Sequence, residues 1–89
     1  MITEIKQWIL KKIEKEKIST IDLTLSVVNK FKTKRYEVQS YLIGLLVNKQ
    51  IKAEIINDKL FFTQGALDDD ELMIILKDLE RISFIGYSH

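Results

Sequence analysis

Eighty-nine residues, 46% of them hydrophobic and 30% charged, describe one folded domain and exclude an intrinsically disordered chain. With no cysteine, a disulfide framework and a thiolate metal site are both excluded. The net charge of +1 hides an asymmetry: Met1–Phe62 holds twelve basic and seven acidic residues, whereas Thr63–His89 holds two and six.

The chain opens with MITEIKQWIL, whose apolar residues are interrupted by charge, so no secretory signal is expected. No run approaches the roughly 20 apolar residues that a membrane helix needs. A soluble, cytoplasmic protein without membrane contact is the expectation. A first helix is predicted over residues 2–16, where Ile2, Ile5, Ile9 and Ile13 recur at helical spacing opposite Lys6, Lys11, Lys12 and Lys15. Trp8 and Leu10 widen its apolar stripe, which suggests cover from two directions.

KIST breaks that period. Ile18 suits a very short strand, and Ser19 with Asp22 three residues on suits a capping box for a second helix at 20–31. Leu23, Val27 and Phe31 would face inward. After a tight KTK turn, Thr33 is the expected cap of a third helix at 34–49, with Val38, Leu42, Leu45 and Leu46 on its inner face. Gly44 in its middle suggests a close approach by another backbone, because glycine there costs up to about 1 kcal/mol.

IKAEIINDKLFFT then reads as a β-hairpin turning at Asn57-Asp58. In that register Ile55 opposes Leu60 and Ala53 opposes Phe62, so Ile51, Ala53, Ile55, Leu60 and Phe62 share one apolar face. That face should close the core between the first and third helices. TQGALDDDE is the main loop, and a last helix is predicted at 69–83, its acidic start suiting the helix dipole.

This order resembles a winged helix-turn-helix domain over residues 1–63, with 64–89 as a C-terminal packing or dimerisation element. KIST, IDLTLSVVNKF, KTK, RYEVQSYLIGLLVNKQ and IKAEIINDKLFF carry the resemblance. The expected fold is therefore mainly α with a small β-hairpin. That superfamily holds DNA-binding regulators and also protein-interaction modules such as those of ESCRT-II and PCI domains. For a regulator, the resemblance implies that the third helix enters the major groove of double-stranded DNA. Lys32, Lys34 and Arg35 would then take phosphates while Tyr36, Gln39 and Ser40 face bases, with Lys59 at the wing. For an adaptor, the exposed apolar residues Tyr36, Ile43 and Val47 would instead meet a protein partner.

Nothing in the sequence supports an enzyme, a cofactor or a metal. His89 ends the chain, and the DDDE run at 68–71 is explained by a helix N-terminus. In the last helix, Leu72, Ile75, Leu79 and Ile82 form a short seam. It could fold back on Trp8 and Leu10, and a homodimer through Trp8 and that seam is the favoured expectation. The acidic last helix is further expected on the side of the domain away from Tyr36 and Ile43, where it would not repel DNA.

Overall fold

The structure, a computed structural model, describes the backbone of residues 2–87 and the side chains of residues 2–80. Helix α1 spans Ile2–Lys15, and its isoleucines at every fourth position, Ile5, Ile9 and Ile13, are buried. A two-residue strand β1, Ile18–Ser19, leads directly into helix α2, Thr20–Phe31. The Ser19 hydroxyl accepts a hydrogen bond from the Asp22 N–H at 3.2 Å and so caps α2 as the sequence suggests. Leu23 and Val27 are buried, and Phe31 is half-buried against the core.

Helix α3 runs Arg35–Val47. Here the expected cap is corrected. Lys34, in extended conformation, is the N-cap, and the Glu37 carboxylate accepts from the Lys34 N–H at 3.1 Å. Thr33 has no part in it, because glutamate reaching back from the third helical position supplies the acceptor that a lysine side chain lacks. At the other end α3 stops in a Schellman motif. Gln50 N–H donates to Leu45 O at 2.9 Å and Lys49 N–H to Leu46 O at 3.1 Å, with Lys49 at φ 63°.

Strands β2, Ile51–Ile56, and β3, Lys59–Gln64, form the predicted hairpin with Ile55 opposite Leu60 and Ala53 opposite Phe62. Asn57 and Asp58 both take positive φ, 52° and 65°, as a type I′ turn requires. The sheet is three-stranded in the order β1-β3-β2, since Ile18 pairs with Phe62 and Ser19 with Phe61. Thr20 adds a tether: its hydroxyl donates to the Leu60 carbonyl at 3.1 Å, in a buried position. Ile51, Ala53, Leu60 and Phe62 are buried against α1, α2 and α3. The exception is Ile55, which is 47% exposed although it lies on the same pleat. It lies on the edge strand β2, whereas its partner Leu60 lies on the central strand, tethered to Thr20 at the start of α2.

Helix α4, Asp69–Tyr87, extends past the expected end at residue 83. Its start is a reciprocal capping box: Asp68 Oδ1 accepts from the Glu71 N–H at 2.8 Å, and Glu71 Oε1 from the Asp68 N–H at 3.3 Å. Glu71's backbone N–H is the main reason that the Asp68 carboxyl is held below the usual range. Leu67, Ile75 and Leu79 join the same core cluster as the residues of α1, α2 and α3. The helices and small antiparallel sheet together form a mainly α fold in a winged-helix layout, with one added helix.

Candidate nucleic-acid interface

The turn between α2 and α3 is only three residues long, and its geometry concentrates positive charge. Lys32 ends α2 in the left-handed conformation, φ 56°, with its N–H donating to Val28 O at 2.9 Å. Lys34 then starts α3, so Lys30, Lys32, Lys34 and Arg35 fall within six consecutive residues, all exposed. Among the described residues, none of the four has a carboxylate ion-pair partner. The described ion pairs lie elsewhere, at Lys12–Glu16, Lys17–Glu54 and Lys49–Asp69. The Lys34 ammonium lies 6.0 Å from the centre of the Tyr36 ring, and that of Lys30 lies 5.7 Å from the Phe31 ring. The positive end of the α3 dipole adds to this local field. The nearest acidic side chain in sequence, Glu37, accepts the Lys34 N–H.

Beyond that first turn, the outward face of α3 is formed by Tyr36, Ser40, Ile43 and Val47, at i, i+4, i+7 and i+11. Tyr36 is 52% exposed, Ile43 37% and Val47 48%. Gln39 is half-buried beside that face and engaged in an interaction of its own. Among the described residues, nothing approaches Gly44 closely: a Cβ there would meet the Lys6 ammonium at 3.8 Å, which is ordinary contact. At the wing tip, Lys59 is exposed next to Asp58. On β2 the outward Glu54 pairs with Lys17, whose hydrogen bond holds the glutamate carboxyl below its usual range.

Two expectations about α4 are corrected. Among the described residues it packs mainly against α3, where the expectation was Trp8 and Leu10 of α1. Trp8 instead meets Phe31 of α2 edge-on, with ring centres 6.0 Å apart. Nor does α4 lie on the far side of the domain from α3; it covers another flank of that helix, while Tyr36 and Ile43 stay exposed. The joint is Lys49, whose ammonium donates to Leu67 O at 2.7 Å and to Asp69 Oδ1 at 3.0 Å. That contact binds one of the three consecutive aspartates, and Asp68 is held in the capping box.

The expected dimer seam is also redirected. Ile75 and Leu79 are buried in the chain's own core, and Leu72 is packed against it. The side chain of Ile82 lies outside the described residues. Among the described residues, the large apolar side chains that α4 leaves exposed are Met73 and Ile74, at 57% and 61%.

Among the described residues, no three His, Asp or Glu side chains are grouped so as to hold a metal ion, and no helix is long and apolar enough to cross a membrane. Comparison with family models, curated proteins and solved structures gives no significant match to this chain. The sequence singles out neither Lys30 nor Lys49. Lys30 joins the basic cluster across the tight turn, and the fold places the Lys49 ammonium at the start of α4.

Proposed function

We propose that this chain is a small winged-helix protein that binds double-stranded DNA, of the transcriptional-regulator type, with α3 as the reading helix. The observation that carries the proposal is the uncompensated cluster Lys30, Lys32, Lys34 and Arg35 at the start of a helix whose outward face is uncovered. Four cations on a tight turn offer contacts to a phosphate backbone, and the adjacent Tyr36 and Ser40 would then face base edges. Localisation in the cytoplasm and action as a homodimer belong to the same proposal. Of the described residues of α4, Met73 and Ile74 are the ones open to a second copy, because Ile75 and Leu79 are already covered.

The exposure of Ile43 and Val47 favours a second reading, an adaptor that docks a protein partner through Tyr36, Ile43 and Val47. Duplex binding measured across a salt series separates the two. If all four cations neutralise phosphates, log affinity falls against log salt with a slope of about −3.6, roughly 150-fold between 50 and 200 mM. Replacing Lys34 and Arg35 together by alanine should reduce that slope to about −1.8. Absence of duplex binding at low salt rejects the DNA reading and leaves the adaptor.

A further inference from the structure

The outward face of α3 changes character along its length, and that change bears on which duplexes it suits. Its charges are confined to the first turn: from Tyr36 to Val47 the single charged residue is Glu37, which is held at the Lys34 N–H. Past Tyr36, the exposed positions Ser40, Ile43 and Val47 offer one hydroxyl and two branched hydrocarbon side chains. Guanine in the major groove presents two acceptors, O6 and N7, and is read best by arginine or lysine. Ile43 can satisfy neither, and laying it over a G·C edge would strip water from polar atoms without replacing their hydrogen bonds. Thymine differs, because its 5-methyl group stands in the same groove and gains from apolar contact.

Resting on the DNA-binding reading above, we infer that α3 selects duplexes with thymine methyl groups beneath Ile43, with the Tyr36 ring flanking them. The preferred ligand class is A·T-rich duplex read from the major groove through its methyls. The basic turn supplies attraction that is blind to sequence, while Ile43 supplies the preference.

The test compares affinities for four alternating duplexes of equal length: poly(dA-dT), poly(dA-dU), poly(dG-dC) and poly(dG-5-methyl-dC). Each pair differs by the 5-methyl group. Burying one methyl is worth about fourfold in affinity. The expected result is a loss of at least that factor from thymine to uracil, and a gain of similar size from cytosine to 5-methylcytosine. Ile43→Ala should abolish both differences and leave the salt slope unchanged. It replaces a partly exposed side chain, and its fold can be confirmed by circular dichroism. Lys34→Ala should weaken all four duplexes by the same factor. Equal wild-type affinity for the thymine and uracil duplexes, with a normal salt slope, overturns this inference and leaves DNA binding standing. A methyl preference that survives in Ile43→Ala overturns the role given to Ile43. Failure to bind any of the four overturns the inference together with the reading on which it rests.

Discussion

Leu79→Ala tests where α4 belongs. Leu79 is fully buried, and it lies in the single chain's core cluster together with Ile75, Leu45 and Leu46. Truncating a fully buried leucine removes its transfer free energy and leaves a cavity, which together cost about 3 kcal/mol. A domain of this length has a total stability of about 4–13 kcal/mol, so the loss is a large fraction of the whole. It should lower the melting temperature by about 12–24 °C. Unfolding in urea can be followed through the single tryptophan, Trp8, which lies on α1 and packs on Phe31 of α2. Because Trp8 reports from α1, it registers the loss only if α4 unfolds cooperatively with the rest. The decisive comparison is protein concentration. In a core position the wild-type–mutant difference is the same at 1 and 30 μM. If Leu79 instead formed a dimer seam, wild-type stability would rise by about 2 kcal/mol across that range and the mutant's would not. A loss under about 1 kcal/mol, or one that grows with concentration, refutes the placement of Leu79 in the monomer core.

Thr20→Val and Thr24→Val form a matched pair. Both hydroxyls are buried, but Thr20 donates to the Leu60 carbonyl whereas Thr24 Oγ1 has no partner among the described residues. Chemical denaturation should show the first destabilised by about 1–2 kcal/mol and the second unchanged or more stable. Lys32→Gly should raise stability by up to about 1 kcal/mol, because glycine carries no left-handed penalty at φ 56°. The same change should weaken duplex binding and reduce the salt slope by about 0.9, so stability and function move in opposite directions. Asp68 has a depressed folded-state pKa, so its stabilising effect is fully present above its unfolded value of about 3.9. That effect is lost as pH falls through the folded value. Asp68→Ala should therefore melt below wild type at pH 7, and the gap should close in strong acid.

What the sequence determined by itself was everything local. Ile5, Ile9 and Ile13 repeat at one helical period, Ser19 stands three residues before Asp22, and Asn57-Asp58 tolerates positive φ. Each is a short-range constraint, and each places an element to within a few residues. The register of the hairpin also followed, because a slip by one residue would move Phe62 from the core to solvent. Tertiary structure decided how far each apolar face is used. Ile55 and Leu60 face each other across the hairpin, yet only Leu60 is covered, since it lies on the central strand and Ile55 on the edge strand. The seam of α4 was expected to be a dimer contact, yet Ile75 and Leu79 are core, because periodicity gives the direction of a face and not its occupant. The cation cluster has the same origin. Lys30 lies on α2 and Lys34 and Arg35 lie at the start of α3. Their joint field exists because Lys32 takes a left-handed conformation and turns the chain within three residues.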